Sequence, residues 1–332
     1  MIVPTRAVIR TLLLAATLAA TLATTLAACG GTGAGGKAAE PAKAPPTTTT
    51  PAGRLVVVGH EAEGVVIDPR SHLAAVGVRA PTGLALVDTS TGTLLRTVPL
   101  PGHVRHLGLL GQDVLVPVED AGFLERVRLP DGQVTSRVAT SDYPHGVTAV
   151  GSDAVAVANE HGHRVSLVRN GSVVATAIDF KQPGGLAATT RGIYVVDVAT
   201  DTLSRLDPES LHPEGRVAAG DGPTHVVADR RGNLVVADTR GNALLVFSPT
   251  LVLVKRVELA GTPYGLAYDS TRDELWVTLT ARNEVVGLHG PELIETRRFA
   301  SVRQPNTVAA DPVTGTVVVA SRSDGVLQIV SR

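Results

Sequence analysis

The sequence has a single cysteine, few aromatic residues and no block of basic charge. Of its 332 residues, 3% are aromatic and 18% are charged, and the formal net charge is −1. One cysteine excludes an intramolecular disulfide, and the lack of a basic patch argues against a nucleic-acid partner. With 44% hydrophobic residues, the chain can still bury a substantial core. We therefore expect a globular, monomeric protein that binds no nucleic acid.

The N-terminus has the pattern of a bacterial lipoprotein signal. Basic residues precede an apolar stretch over residues 12–26, which is too short and too rich in alanine for a transmembrane span. The stretch runs into Leu-Ala-Ala-Cys-Gly at 26–30, which looks like a lipobox, in which cleavage precedes the cysteine and the thiol is acylated. We therefore predict a signal peptide over residues 1–28 and lipidation of Cys29, for example with palmitate. The lipid would hold the protein at the cell membrane, on the extracytoplasmic side.

Residues 29–53 are mostly Gly, Ala, Pro and Thr and contain almost nothing apolar to bury. Such a composition cannot offset the entropy lost on ordering, so it predicts a disordered tether. Residues 31–37 match the first part of a phosphate-binding loop. However, Ala38 stands where a Ser or Thr would bind magnesium, and no strand precedes the glycines. We interpret these glycines as a spacer and expect no cofactor.

From residue 54 onward, one short phrase recurs: a proline or its substitute, a variable residue, a small residue and then apolar residues. Its seven copies begin at Ala62, Val104, Pro144, Pro183, Pro223, Pro263 and Pro305. The spacings between successive starts are 42, 40, 39, 40, 40 and 42 residues. Each copy is typical of four short strands separated by turn residues, and this is the period of a β-propeller blade.

The last copy ends one strand short, after apolar runs at 316–320 and 325–330. An extra apolar run, Arg54–Gly59, precedes the first copy and fits the vacant edge of the last blade. Pairing the two ends of the chain would remove an exposed sheet edge. We therefore predict an all-β domain over residues 54–332, a seven-bladed β-propeller with four antiparallel strands per blade. The N-terminal strand would close it by joining the C-terminal blade.

The repeat resembles the YVTN and NHL-like propeller families. The resemblance is carried by Pro263-Tyr-Gly-Leu-Ala-Tyr-Asp, Leu275-Trp-Val-Thr-Leu-Thr and Asn283-Glu-Val-Val-Gly-Leu. Together with the lipobox-like sequence, the whole chain is similar to propeller lipoproteins of the actinobacterial cell envelope. The resemblance implies a fold and little about activity, because propellers include binding modules, lyases, lactonases and dehydrogenases.

The variable residue of each phrase is expected at one mouth of the central channel, because the first strand of every blade lines that channel. This ring also includes Gly184, and the next position adds two histidines. The predicted ligand-binding residues are Glu63, Arg105, His106, His145, Thr224, His225, Tyr264 and Asn306. Convergent polar groups in a concave site favour ligand binding. The alternative is that these side chains only hydrate the channel mouth.

Two classes of function remain open. The first is a binding or scaffolding module for an envelope protein, a glycan or a small molecule. The second is a lactonase-like hydrolase or lyase that uses Glu63, Arg105 and His145, which come from consecutive blades. Convergence of these three side chains around a cavity would favour the enzyme.

A metal site is not expected from the sequence. Glu63 and Asn306 resemble part of a calcium-lactonase pattern, but two oxygen ligands fall short of the six or more that calcium prefers. His161 and His163 flank one glycine and lack a third ligand.

Overall fold

A computed structural model describes residues 38–332 of the chain. In this range it contains 28 strands in seven sheets, each with four antiparallel strands. The sheets follow one another around a central channel, with the first strand of each blade innermost. The prediction of a seven-bladed, all-β propeller is confirmed.

The strands follow the predicted repeat closely. Blade 1 contains β2–β5, which are Val65–Asp68, Leu73–Arg79, Thr82–Asp88 and Thr93–Pro99. Blade 2 contains β6–β9, which are Gly108–Leu110, Asp113–Val118, Phe123–Arg128 and Gln133–Ala139, with a short 3₁₀ helix at Glu119–Ala121. Blade 3 contains β10–β13, which are Pro144–Val150, Ala154–Asn159, Arg164–Arg169 and Ser172–Ala177.

The remaining blades have the same order. Blade 4 contains β14–β17, which are Pro183–Thr189, Gly192–Asp197, Thr202–Leu206 and Pro213–Ala218. Blade 5 contains β18–β21, which are Pro223–Ala228, Leu234–Asp238, Ala243–Phe247 and Leu253–Glu258. Blade 6 contains β22–β25, which are Pro263–Asp269, Glu274–Leu279, Glu284–His289 and Ile294–Ala300. Blade 7 contains β26–β28, which are Pro305–Ala310, Val317–Ser321 and Val326–Val330.

The N-terminal strand β1 (Arg54–Val57) completes blade 7. It pairs antiparallel with β28, with Arg54 opposite Ile329 and Val57 opposite Val326. The predicted closure is therefore confirmed, although the strand ends two residues before Gly59. Because the first and last parts of the chain share one sheet, the ring cannot open without breaking that pairing.

The hydrophobic core lies between neighbouring blades. Seven buried clusters each combine residues from two adjacent blades, including the last and the first. Between blades 7 and 1, for example, Val76 and Val78 belong to the same cluster as Val318 and Leu327. Burying an aliphatic side chain of this size contributes roughly 1.5–3 kcal/mol. Each first strand is thus held from both sides, which fixes the side chains that face the channel.

Three predicted features lie outside the described residues: the signal peptide (residues 1–28), Cys29, and the glycine-rich segment 31–37 that resembles a phosphate-binding loop. Within residues 38–332, no helix combines the length and apolar character needed to cross a membrane.

Candidate functional site at the channel mouth

The variable residues of the phrases surround one end of the central channel, here called the mouth. We call them the inner ring: Glu63, Arg105, His145, Gly184, Thr224, Tyr264 and Asn306. Glu63 and Asn306 are almost fully buried, at 1% and 0% exposure, and His145 is buried as well. These side chains therefore contact one another and the loops above them more than they contact solvent.

The third phrase residue is small in five of the seven blades, because neighbouring first strands approach closely there. A β-carbon added to Gly146 would lie 2.0 Å from the Gly184 carbonyl oxygen, and one added to Gly265 would lie 2.6 Å from that of Asn306. Blades 2 and 5 instead place His106 and His225 at this position, so their rings enter the channel.

A second ring of side chains surrounds the first, and the sequence analysis missed it. These residues end or directly follow the second strand of each blade, and we call them the outer ring: Arg79, Glu119, Glu160, Val198, Thr239, Thr280 and Arg322. Glu160, for example, lies three residues beyond Val157, which pairs with the fourth phrase residue Val147. Outer-ring residues stand 15–17 residues after the start of each phrase. Pairing register was therefore the signal that could have found them.

Glu63 is at the centre of the ion pairs at the mouth. Asn306 donates a hydrogen bond to its Oε1 atom at 3.0 Å. Its Oε2 atom accepts no hydrogen bond from residues 38–332 but lies 3.5 Å from Arg105 Nε, 3.5 Å from Arg322 Nη1 and 4.0 Å from Arg79 Nη2. Burial alone would raise the pKa of Glu63, but the arginines and the Asn306 hydrogen bond outweigh burial and lower it. Glu63 is therefore ionised at neutral pH.

His145 lies between two outer-ring carboxylates. Its Nδ1 atom is 2.9 Å from Glu119 Oε1 and 3.1 Å from Glu160 Oε2. The second oxygen of Glu160 accepts a hydrogen bond from Gln182 Nε2 at 2.7 Å. The second oxygen of Glu119 faces Arg79 Nη2 at 3.6 Å. Burial would raise the pKa of Glu160, but His145 and the Gln182 hydrogen bond lower it.

His106 and His225 separate the mouth from the rest of the channel. Their ring centroids are 4.8 Å apart and edge-to-face. His106 also contacts the His145 ring at 4.6 Å, and His225 contacts the Tyr264 ring at 4.5 Å. Burial and, to a smaller extent, neighbouring positive charge lower the pKa of both histidines, that of His225 to about 3. Both rings are therefore neutral at pH 7.

Beyond the histidines, the channel is lined by the fourth residue of each phrase, which is always Val or Leu. We call this region the apolar end: Val65, Leu107, Val147, Leu186, Val226, Leu266 and Val308. It surrounds a cavity of 160 Å³ that His106 and His225 also line.

Within the inner and outer rings, charge is confined to one half of the mouth. Blades 7, 1, 2 and 3 supply the arginines, glutamates and His145, whereas blades 4–6 supply neutral groups. The Thr239 hydroxyl donates a hydrogen bond to the Pro263 carbonyl at 2.8 Å and accepts one from the Thr224 hydroxyl at 2.7 Å. Burial raises the pKa of Tyr264, so its hydroxyl stays protonated.

Residues 38–46, which we call the strap, lie across the mouth. The composition of the tether predicts disorder, but this part of it makes specific hydrogen bonds with the propeller. Gln304 accepts a hydrogen bond from Ala44 N at 2.9 Å and donates one to the Ala42 carbonyl at 2.8 Å. Ala42 N donates to Thr280 Oγ1 at 3.1 Å.

Further contacts extend the strap in both directions. Asn283 donates a hydrogen bond to the Pro45 carbonyl at 2.9 Å, and Ala39 and Ala44 are buried. The Glu40 carboxylate lies 4.0 Å from Arg105 Nη2. The strap therefore lies over both halves of the mouth. It is hydrogen-bonded to residues of blades 6 and 7, and its residues 38–40 lie above Arg105, His145 and Glu160.

The predicted catalytic trio is brought together only in part. Glu63 and Arg105 form an ion pair at 3.5 Å, whereas His145 pairs with outer-ring carboxylates. Arg79 links the two groups, because it faces both Glu63 and Glu119. A cavity of 20 Å³ remains beneath residues 38–40, which is room for about one water molecule. The other predicted ligand-binding residues, Thr224, Tyr264 and Asn306, also lie in this mouth.

Comparisons with known proteins identify the fold. No protein-family model matches the chain, and no curated protein matches it. Among solved structures, a streptogramin B lyase is 12% identical with a TM-score of 0.72, covering 84% of this chain and 98% of its own. The virginiamycin B lyase from Staphylococcus aureus is 12% identical with a TM-score of 0.71, covering 84% of this chain and 99% of its own.

An unrelated activity occurs on the same architecture. The hydrazine synthase of Kuenenia stuttgartiensis is 12% identical with a TM-score of 0.70, covering 82% of this chain and 96% of its own. Similarity at this level of identity reflects a shared propeller fold, and function has to be argued from the site.

Proposed function

We propose that the chain is a lipid-anchored, extracytoplasmic propeller of the YVTN/NHL-like type that binds extended peptide segments on its mouth face. The lipid anchor rests on the lipobox-like sequence at 26–30 and the family on the repeat phrases. The cell envelope is where such a lipoprotein would act, as a binding or scaffolding module.

The observation that carries the binding function is the main-chain recognition of the strap. Gln304 contacts the carbonyl of Ala42 and the amide of Ala44, which are two residues apart. A carboxamide side chain that donates to one backbone carbonyl and accepts from a nearby backbone amide can bind an extended peptide through groups that every residue carries. The strap is the chain's own occupant of this surface, so a partner segment of the same chemistry would compete with it.

The chemistry of the strap also indicates which peptides would fit. Ala39 and Ala44 are buried, so small side chains are required at those positions. The prolines of the segment favour an extended backbone before binding, which reduces the entropy lost. Glu40 beside Arg105 adds a preference for one acidic residue. We therefore expect an extended, alanine- and proline-rich ligand with a carboxylate near its N-terminal end.

The test displaces the strap from the mouth while keeping the full chain. Ala42→Pro with Ala44→Pro removes the two amide donors that Thr280 and Gln304 bind. A fluorescent peptide with the sequence of residues 38–46 should then bind this variant, measured by anisotropy. The same peptide with prolines at the two positions is the matched control. Equal binding of both peptides, or no binding of either, would contradict the proposal.

The anchor is tested separately. In a bacterial host that processes lipoproteins, the wild-type chain should incorporate labelled palmitate and sediment with membranes, and Cys29→Ala should do neither. Palmitate incorporation by the Cys29→Ala protein would disprove Cys29 as the lipid site.

A lyase or hydrolase is the second candidate, favoured by the position of His145 between two buried carboxylates. A histidine held in this way is suited to act as a general base. Turnover of a panel of lactones and p-nitrophenyl esters by the wild type, lost by about 100-fold or more in His145→Asn, would support this function. Equal rates in the two proteins would exclude it for those substrates.

A further inference from the structure

Glu119, His145 and Glu160 present three ligand atoms that lie within 4.8 Å of one another. Their side chains are 7%, 7% and 12% exposed. In a tetrahedral site with bonds of about 2.0–2.2 Å, ligand atoms are separated by roughly 3.3–3.6 Å. The two distances from Nδ1, 2.9 and 3.1 Å, need to grow by only a few tenths of an ångström. A single proton on Nδ1 cannot point at both carboxylates, whereas a cation can bind all three atoms.

Each carboxylate is already oriented to offer one oxygen. Gln182 holds Oε1 of Glu160 and leaves Oε2 toward His145. Arg79 faces Oε2 of Glu119 and leaves Oε1 toward His145. Such outer partners fix the direction of metal-binding carboxylates and are as much a part of metal sites as the ligands themselves.

The charge of the mouth also favours a cation. Within residues 38–332, the connected ion-pair network contains five carboxylates and three guanidinium groups besides His145. Its members are Glu40, Glu61, Glu63, Glu119, Glu160, Arg79, Arg105 and Arg322. With His145 left aside, five negative and three positive formal charges leave a net charge of −2. One divalent ion would neutralise the network, and neutral pairing strongly reduces the cost of buried charge.

We propose that Glu119, His145 and Glu160 bind one divalent transition-metal ion of the Zn²⁺ type. One imidazole nitrogen and two carboxylate oxygens form a mixed donor set that suits zinc, whereas calcium requires six to eight oxygen ligands. The cavity of 20 Å³ beside His145 and Glu160 leaves room for one water as a fourth ligand. Three protein ligands and one open position are typical of zinc sites that take an exogenous ligand.

The metal ligands and the residues that hold the strap are different side chains, since the strap is bound by Thr280, Asn283 and Gln304. The two sites are neighbours, because Ala39 and Glu40 of the strap line the 20 Å³ cavity beside His145. Metal affinity is measured without any peptide, so loss of either function is seen separately.

The test is a Zn²⁺ titration of the purified mature-length chain against a chromophoric chelator. We expect one ion per chain and affinity at least about tenfold weaker in Glu119→Gln and in Glu160→Gln, which keep the side-chain shape but lose the charge. His212→Ala, which removes an exposed histidine far along the chain, should leave the affinity unchanged. Ca²⁺ at the same concentration should not compete.

A second measurement does not depend on the variants folding. Crystals of the wild type soaked in Zn²⁺ should show anomalous density between the three side chains. Density only at surface histidines, no binding in the titration, or unchanged affinity in both folded glutamine variants would each overturn the proposal.

Discussion

The mouth and the apolar end of the central channel are built from nearby residues of the same phrase, yet their side chains differ in charge, polarity and variety. At the mouth, the second phrase residue is different in all seven blades: Glu, Arg, His, Gly, Thr, Tyr and Asn. At the apolar end, the fourth residue alternates between only Val and Leu. The second and fourth phrase residues are only two positions apart in the chain. The third residue lies between them, and in blades 2 and 5 it is His106 or His225, whose ring separates the ion pairs from the hydrophobic lining.

The difference shows which positions the fold constrains. Side chains at the apolar end pack against the preceding blade, as Val147 and Leu186 do in their clusters, so each must be aliphatic. Side chains at the mouth face loops and one another, so packing leaves their identity free. The mouth is therefore where a particular function can be added to a general propeller.

The largest expected effect comes from the third phrase position, where neighbouring first strands approach closely. Gly146→Ala should destabilise the protein by about 3 kcal/mol or more, because its β-carbon would lie 2.0 Å from a backbone oxygen of the next blade. Gly184→Ala is the matched control at the mouth, where the nearest atom is a Val198 methyl at 3.2 Å, and should cost about 1 kcal/mol or less. Chemical denaturation measures both. Equal losses would show that first strands do not approach as described.

Glu63→Gln should have the next largest effect. It removes the buried carboxylate that Arg79, Arg105 and Arg322 share, so we expect a loss of about 2–4 kcal/mol in the free energy of unfolding. Adding Arg322→Gln should recover part of this loss, because it removes a guanidinium that has lost its nearest carboxylate, at 3.5 Å. If the loss in the double variant equals the sum of the losses in Glu63→Gln alone and Arg322→Gln alone, the ion pair makes no contribution to stability.

A smaller effect is expected from the pH dependence of His225. Its pKa in the folded state is about 3, below the ordinary value of 6.5, so between these values the unfolded state binds the proton and the folded state does not. The free energy of unfolding should therefore fall as pH decreases from 6.5, by up to about 1.4 kcal/mol per unit from this residue. Denaturation at pH 7.5 and 4.5 should show a smaller drop for His225→Gln than for the wild type. The same drop in both proteins would contradict burial of this ring.

The smallest effect concerns the strap. Gln304→Ala removes partners of Ala42 and Ala44 at the mouth, and each lost hydrogen bond is worth about 1 kcal/mol. Hydrogen exchange at Ala44 N should accelerate roughly fivefold, while global stability stays nearly constant. Leu186→Val, at the apolar end, should show the reverse pattern, with lower stability and unchanged exchange in the strap.

The sequence predicts the propeller and the inner ring because both follow from the repeat. Period, strand pattern and the missing last strand together imply seven blades and their closure. Glu119 and Glu160 were missed because they follow second strands, where only the pairing register shows that they return to the channel. The docking of residues 38–46 was not predictable from composition, because it depends on backbone groups that every residue carries. Cys29 lies outside the described residues, so its lipidation stays a prediction.

The most direct test of the difference between the two ends is peptide affinity in three proteins that all carry Ala42→Pro and Ala44→Pro. The first has no other change, the second adds Gln304→Ala, and the third adds Leu186→Val. The account predicts that the residue 38–46 peptide binds the first and third proteins equally and the second at least about fivefold more weakly. Undiminished binding to the Gln304→Ala protein, or an equal loss in the Leu186→Val protein, would contradict it.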